Sequence, residues 1–179
     1  VNDTNRLSKF KNHIQVFGST TSKSNLNNYV NVDLKKNFLL STSSQYLSNF
    51  TKYVKKEKID ILEVHNRPHY IDILDKVLSC KKVLFFHNDP LKMQGSSSIN
   101  DRINLLNKTD KIIFNSNWSK SRFLIGLSDT EEFKNINVIH QSTSKTNINF
   151  TNKKKIISFV GKLNSSKGYD VFGKAIIKI

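Results

Sequence analysis

The chain has 179 residues with 29 Lys or Arg against 14 Asp or Glu, and its formal net charge is +15. This length is enough for one packed domain, which needs no crosslinks to be stable. The lone cysteine, Cys80, excludes a disulfide scaffold and a cysteine-based zinc site, and it fits a reducing compartment. No apolar run in the sequence approaches the roughly 18 residues that a membrane-spanning helix requires. Because the sequence begins with Val1 and not with Met, we expect it to be a piece of a longer protein.

The strong positive charge raises the question of whether the partner is nucleic acid or an anionic membrane. Lys outnumbers Arg by 25 to 4, and the lysines are scattered along the chain. Proteins that clamp phosphates or read bases favour the planar fork of Arg. We therefore predict that most lysines are solvated surface residues and that nucleic acid is not a partner. An anionic membrane surface stays open as an alternative.

Short apolar runs alternate with segments of helical spacing, which is the pattern of an α/β domain with a mostly parallel sheet. The first helix is marked by an apolar stripe from Tyr46 to Val54, and its cap is expected within residues 41–44. Three later segments, residues 71–78, 99–106 and 118–124, repeat this spacing, so each returns the chain to a new parallel strand. The strand candidates are residues 14–17, 59–64, 83–86, 112–114, 138–139 and 156–160.

Residues 142–155 are polar and rich in Thr, Asn and Lys, which predicts an interdomain linker. A strand candidate, a glycine-containing loop and a helical segment follow in residues 156–179. These elements cannot bury both of their faces alone, so they predict the beginning of a second, truncated domain. Residues 1–141 are then predicted to form a doubly wound α/β domain.

Ligands of open α/β sheets bind beyond the carboxyl ends of the strands, and several predicted strands end in polar residues. We expect His87 to act there as a positioned polar or basic group, beside a pocket for an anionic or hydroxyl-rich ligand that His65 and Arg67 shape. The alternative is that His87 only ties the loop to the strand end, and Asp89 is a candidate to orient it. The spacing of His65, His69 and His87 raises the alternative of a metal site, but the sequence has no helical His-x-x-x-His pair and no clear supporting carboxylate, so no metal is predicted. The predicted site residues at the strand ends are His65, Asn66, Arg67, His87, Asn88, Asp89, Asn115 and Asn117.

The loop of residues 161–168 lies between a predicted strand and a predicted helix. Gly161 lets the backbone approach a ligand, the helix start offers a positive dipole end, and Lys162 and Lys167 add full charges. These features suit a diphosphate, although an ordinary turn between strand and helix is the alternative. The sequence lacks the motifs of serine hydrolases, P-loop NTPases and simple dinucleotide-binding domains.

Five segments, taken in order, resemble the landmarks of family 4 (group 1) glycosyltransferases of GT-B architecture. The resemblance implies two Rossmann-like domains, with the acceptor bound by the N-terminal domain and a nucleotide diphosphate sugar by the C-terminal one. It also implies a first strand before Val1 and donor-domain carboxylates after Ile179, so this chain alone is not expected to transfer sugar. The segments are IDILEVH at 59–65, LFFHN at 84–88, DKIIFNSNWS at 110–119, VIHQS at 138–142 and ISFVGKLNSSKG at 157–168.

The resemblance implies a retaining transferase that needs no cofactor and moves the sugar to a sugar or lipid-linked acceptor. In such enzymes the residue matching His87 faces the reacting sugar, and those matching Lys162 and Lys167, beside Gly161, contact the donor diphosphate. Position 162 is usually Arg in the family, and Lys lacks its bidentate fork. The implied setting is the synthesis of cell-envelope polysaccharide, lipopolysaccharide or glycolipid, in the cytoplasm or at the inner face of the cytoplasmic membrane.

Two other interpretations stay open. The chain could be a noncatalytic basic α/β module that binds nucleic acid or an anionic surface, which requires the lysines to gather on one continuous face. It could also be a nucleotide-sugar epimerase, since some of these enzymes share the GT-B architecture.

Overall fold

The computed structural model describes residues 7–21, 24, 26–34, 41–127, 133–141 and 156–178. The chain divides into two compact units, Val1–Thr143 and Ser144–Ile179. The predicted linker, residues 142–155, lies outside the described residues, so it stays a prediction.

The first unit contains two parallel sheets. A small sheet pairs β1 (Val16–Gly18) with β2 (Tyr29–Asn31), and helix α1 (Thr42–Val54) follows it. The larger sheet has four parallel strands in chain order, with helices between them. This arrangement confirms the prediction of a Rossmann-like α/β fold with a parallel sheet. The elements of the larger sheet are β3 (Ile61–His65), α2 (Ile71–Asp75), β4 (Lys81–Phe86), α3 (Ile99–Lys108), β5 (Lys111–Phe114), α4 (Asn117–Leu124) and β6 (Ile136–Val138).

Helix α1 begins and packs as its sequence predicts. The Oγ of Ser41 accepts a hydrogen bond from the backbone N–H of Ser44 at 3.2 Å, which satisfies one of the free donors at the helix start. Leu47, Phe50 and Val54, three members of the predicted stripe, are buried. The helix is therefore held by its cap at one end and by its apolar stripe along its length.

The two faces of the four-stranded sheet differ in burial. Successive side chains of a strand point to opposite faces, and burial alternates accordingly along β4 and β5. We call the buried side the covered face; it carries Val64, Lys82, Leu84, Phe86, Ile112, Phe114 and Ile136. The other side, the open face, carries Ile61, Glu63, His65, Val83, Phe85 and Ile113, all of them partly or largely exposed.

Helices α2, α3 and α4 contribute to the core that buries the covered face. The rings of Phe86 and Phe114 are stacked with centroids 5.3 Å apart, and Phe123 of α4 lies 5.6 and 5.2 Å from them. Leu74 of α2 and Leu105 of α3 are buried in the same core. None of the helices in the described part of the chain has both the length and the apolar character needed to cross a membrane.

The apolar spacing predicts the buried side of α3 only in part, since Leu105 and Leu106 contribute to the core. Ile99 and Ile103 are each 45% exposed, whereas Arg102 and Leu105 are buried. The Arg102 guanidinium donates from Nη1 to the carbonyl of Ser97 at 3.0 Å and from Nη2 to the carbonyl of Ile125 at 2.5 Å. These bonds to loop carbonyls turn the Arg102 side of the helix inward, which apolar periodicity cannot foresee.

Several predicted boundaries shift by a few residues. The strand predicted at 14–17 forms at Val16–Gly18, and the one predicted at 138–139 forms at Ile136–Val138. Helix α2 ends at Asp75, earlier than the spacing over 71–78 predicts.

The second unit is described from residue 156 to residue 178, and the prediction of a strand at 156–160 is wrong for it. This segment forms no strand, because the described residues of the unit offer no neighbouring strand to pair with. A short 3₁₀ turn, Ser165–Lys167, leads through Gly168 into helix α5 (Tyr169–Ile176). Gly168 has φ +73°, which a residue with a side chain rarely adopts, so the glycine suits this entry into the helix.

Candidate functional site

The predicted site residues after β3, β4 and β5 come together at the carboxyl end of the sheet. His65 is the last residue of β3 and pairs in register with Phe85 of β4. His87 follows β4 directly, and Asn115 follows β5. Because the strands are parallel neighbours, these ends lie side by side, as the position rule for open α/β sheets leads one to expect.

Asparagine side chains from both neighbouring strands hold the backbone of His87. The Oδ1 of Asn66 accepts from the backbone N–H of His87 at 2.7 Å. From the other side, the Nδ2 of Asn115 donates to the carbonyl of His87 at 3.0 Å. Asn66 itself has φ +53°, a left-handed conformation that asparagine tolerates better than most residues. Both backbone polar groups of His87 are thus held by side chains.

The imidazole of His87 belongs to a line of four polar side chains, which we call the histidine chain: Glu63, His65, His87 and Gln141. The Nε2 of His87 lies 2.9 Å from the Nδ1 of His65, and the two rings are nearly parallel. The Nδ1 of His87 lies 3.0 Å from the Nε2 of Gln141. At the other end, the Nε2 of His65 lies 3.6 Å from Oε2 of Glu63. Both nitrogens of each histidine therefore face a polar partner.

The environment of His87 favours its neutral form. Burial lowers the pKa of its imidazole, and the neighbouring His65 lowers it further. The pKa of His69, on the 3₁₀ turn Pro68–Tyr70, is also lowered, first by burial and then by the charge of Arg67. A neutral His87 can accept one hydrogen bond and donate another.

The carboxylate of Asp89 is held by Arg122 of α4 and not by His87. Nε and Nη2 of Arg122 lie 3.3 and 3.2 Å from the two carboxylate oxygens, and the backbone N–H of Leu91 donates to Oδ1 at 3.1 Å. Burial opposes ionisation of this group, but the hydrogen bonds from Arg122 and Leu91 lower its pKa overall. Asp89 therefore fixes the turn after β4, and the partners of the His87 ring are His65 and Gln141.

The remaining strand-end residues line the outside of the site. Asn88 and Asn117 are exposed, and Arg67 is exposed with its Nη1 donating to the carbonyl of Asn66 at 2.9 Å. Trp118, which begins the first turn of α4 with Asn117, is 59% exposed, and the Arg122 guanidinium lies 5.8 Å from the centre of its ring. An exposed aromatic ring therefore lies at the start of α4, three residues after Asn115.

Two members of the histidine chain are not singled out by the sequence pattern. Glu63 lies two residues before His65 in β3, so the period of two that governs a strand places both on the open face. Gln141 lies three residues after the end of β6, in the polar segment that follows the last strand of the sheet. Strand alternation and the carboxyl-end rule, applied together, would have indicated both residues.

Within the described residues, no group of three or more His, Cys, Asp or Glu side chains is placed to hold a metal ion. The facing nitrogens of His65 and His87 are at hydrogen-bond distance from each other. Their lone pairs and protons are thus engaged in the histidine chain.

The predicted diphosphate loop lies in the second unit. Gly161, Lys162 and Lys167 are exposed, and a Cβ at Gly161 would lie 3.9 Å from the Cβ of Lys167. The ring of Phe159, just before the loop, contacts Tyr169 and Phe172 of α5 with centroids 5.5 and 5.4 Å away. The loop thus starts α5 with two exposed lysines beside backbone that a ligand can approach.

Comparisons of this chain with protein-family profiles, with curated proteins and with solved structures found no match. We therefore argue function from the residue patterns of the sequence and from the geometry within each unit.

Proposed function

We propose that the chain is part of a retaining GT-B glycosyltransferase of family 4, which moves a sugar from a nucleotide diphosphate sugar to a sugar or lipid-linked acceptor. The observation that supports this most is the convergence at His87 of three segments that carry the resemblance. His65 and Asn115 are 22 and 28 residues from His87 in sequence, yet both bond to it directly. Three of the segments that carry the resemblance therefore lie together at one end of the sheet.

The chemistry of the site suits the acceptor side of such a transfer. The transferred sugar develops positive charge, which a protonated imidazole would repel and a neutral one would not. Burial and the neighbouring His65 lower the pKa of His87, which favours the neutral form. Exposed amides such as Asn88 and Asn117 can bond sugar hydroxyls, and the exposed ring of Trp118 offers an apolar surface for the C–H face of a sugar.

The loop of residues 161–168 is proposed to bind the donor diphosphate. The leaving diphosphate gains negative charge as the glycosidic bond breaks, so cations already beside it stabilise the transition state more than the ground state. In this proposal Lys162 and Lys167 supply that charge, and Gly161 lets the backbone approach the phosphates. In this proposal the transfer needs no cofactor.

The proposed enzyme works in the cytoplasm, and a lipid-linked acceptor would bring it to the inner face of the cytoplasmic membrane. The net charge of +15 would favour contact with anionic lipids there. Polysaccharide, lipopolysaccharide and glycolipid synthesis are the processes that consume such products.

Calorimetric titration of nucleoside diphosphates and their sugar derivatives into a transferase that contains this chain tests the proposal. We expect one nucleotide series to bind, and Lys167→Ala to weaken its binding by about tenfold, the scale of one charged hydrogen bond. Lys174→Ala removes another exposed lysine, from α5, and is the matched control, with little change expected. In a transferase that contains this chain, Lys167→Ala should lower the rate of transfer by roughly 10²-fold.

Two results would contradict the proposal. One is the absence of binding for every nucleotide diphosphate and its sugars. The other is an equal loss of binding in the Lys167→Ala and Lys174→Ala variants. Tight, salt-dependent binding of duplex DNA or RNA in place of any nucleotide sugar would instead favour the basic α/β module.

A further inference from the structure

The histidine chain allows only a limited set of proton positions. Each of its hydrogen bonds needs one donor and one acceptor, and a neutral imidazole carries a proton on one nitrogen only. Nδ1 of His87 faces Gln141 at 3.0 Å, and Nε2 of His87 faces Nδ1 of His65 at 2.9 Å. Fixing the direction of one bond therefore fixes the tautomers of both histidines.

Two directions are possible, and Glu63 distinguishes them. In the first, the Gln141 amide N–H donates to His87, the Nε2–H of His87 donates to His65, and the Nε2–H of His65 points to the Glu63 carboxylate, 3.6 Å away. In the reverse direction, the Gln141 amide would have to turn its oxygen toward His87, and the bare Nε2 of His65 would face the Glu63 carboxylate. Two acceptors would then oppose each other, which is repulsive. The carboxylate therefore selects the first direction.

We infer that Glu63 and His65 are positioning residues that hold His87 in its Nε2–H tautomer, so that Nδ1 of His87 is an acceptor for a sugar hydroxyl at the place where the Gln141 amide now lies. The identity of the hydroxyl rests on the proposed function. The tautomer itself rests only on the geometry of the histidine chain.

The Gln141 end is the side on which a ligand can enter. Gln141 is exposed, whereas the contact between the two histidines is partly buried. An amide N–H and a hydroxyl both donate, so a hydroxyl can replace the Gln141 amide without any change of tautomer in the histidines. The Nδ1 of His87 is thus already oriented to accept a hydrogen bond before the ligand arrives. No free energy is then spent on reorienting the histidines when the ligand binds.

Other charged groups at this end of the sheet are engaged elsewhere or exposed. On the β3 side, Arg67 donates to the carbonyl of Asn66. After β4, Asp89 pairs with Arg122 of α4. After β6, His140 is exposed. Among the described residues, Glu63 is therefore the carboxylate that faces the two imidazoles.

Nitrogen-15 NMR of the histidine side chains tests the tautomer without any substrate. At pH 7.5 we expect His87 to show a protonated Nε2 and an unprotonated Nδ1, and His65 to show the same pattern. In Glu63→Gln, the new amide can donate as well as accept, so both tautomers should become populated to comparable extents. Glu57→Gln, an exposed carboxylate after α1, is the matched control and should leave the spectrum unchanged.

The hydroxyl part of the inference is tested with free monosaccharides added to Gln141→Ala. The nitrogen-15 resonance of Nδ1 of His87 is expected to shift with at least one sugar. The shift should be smaller in the double variant that also carries Glu63→Gln. A His87 protonated on Nδ1, or a Glu63→Gln spectrum like that of the wild type, would overturn the positioning role. No shift with any sugar would overturn the hydroxyl site.

These outcomes differ from a failure of the proposed function. A correct tautomer pattern in a chain that binds no nucleotide sugar would remove the transferase but leave the positioning role of Glu63 and His65. Binding of a nucleotide sugar together with the wrong tautomer would leave the proposed transferase and remove the positioning role of Glu63 and His65.

Discussion

The covered and open faces of the four-stranded sheet are made by the same strands, but their residues serve different purposes. Leu84, Phe86, Ile112 and Phe114 on the covered face are fully buried in the core. On the open face Ile61 is 58% exposed, and the polar residues Glu63 and His65 stand among apolar neighbours. The alternation of a strand thus places a core residue and a site residue next to each other. Phe86 and His87 are such neighbours.

The largest expected effect separates the two faces within one strand. Phe86→Ala should lower the free energy of unfolding by about 3–5 kcal/mol, because it leaves a cavity in the core against Phe114 and Phe123. Phe85→Ala, one residue away on the open face, should cost about 1 kcal/mol, since this ring is only partly removed from water. Urea unfolding of both variants measures the difference. Equal losses would mean that the open face is as much a part of the core as the covered one.

A smaller loss of the free energy of unfolding is expected in the turn after β4, between the core and the candidate site. Asp89→Ala removes the carboxylate that accepts from Leu91 and pairs with Arg122, so unfolding should become about 1–2 kcal/mol easier. Glu57→Ala, on the exposed turn after α1, should change it by less than about 0.5 kcal/mol. Thermal unfolding of the two variants compares them, and a loss at Glu57 as large as that at Asp89 would argue against a structural role for the Arg122 pair.

The smallest effect is a dependence of stability on pH. Burial lowers the pKa values of His87 and His69 in the folded chain below the ordinary histidine value of about 6.5. Between that value and the folded pKa, the unfolded chain binds more protons, so the free energy of unfolding should fall as the pH falls below about 6.5. Urea unfolding at pH 7.5 and 5.5 measures the slope, which should be shallower in His87→Asn. A stability that rises on acidification through this range would contradict the lowered pKa values.

The sequence predicts much of the fold because local rules act there without competition. The serine cap and apolar stripe of α1 are sufficient to place that helix, and the apolar runs are sufficient to place β3, β4 and β5. It predicts the buried side of α3 only in part, because the bond of Arg102 to the carbonyl of Ile125 depends on a loop 23 residues away in sequence. The strand predicted at 156–160 fails for a related reason, since a strand also requires a partner.

The candidate site shows the same division between local and long-range information. The carboxyl-end rule brings His65, Asn66, His87 and Asn115 together correctly, because it follows from the parallel order of the strands. Which nitrogen of His87 faces which partner depends on side-chain directions across three strands. That information appears only when the strands are assembled, so Glu63 and Gln141 join the site through the structure.

The comparison of Phe86 with His87 tests the division between core and site most directly. The measurement is urea unfolding of His87→Ala, combined with calorimetric titration of the nucleotide sugar that the wild type binds. We predict that the free energy of unfolding changes by about 1 kcal/mol or less, because His87 is only partly buried. We also predict unchanged nucleotide binding, which is assigned to the loop of residues 161–168, and severely reduced transfer in a transferase that contains this chain. A joint loss of nucleotide binding and of stability on the scale of Phe86→Ala would show that His87 is a structural residue, and would contradict the account.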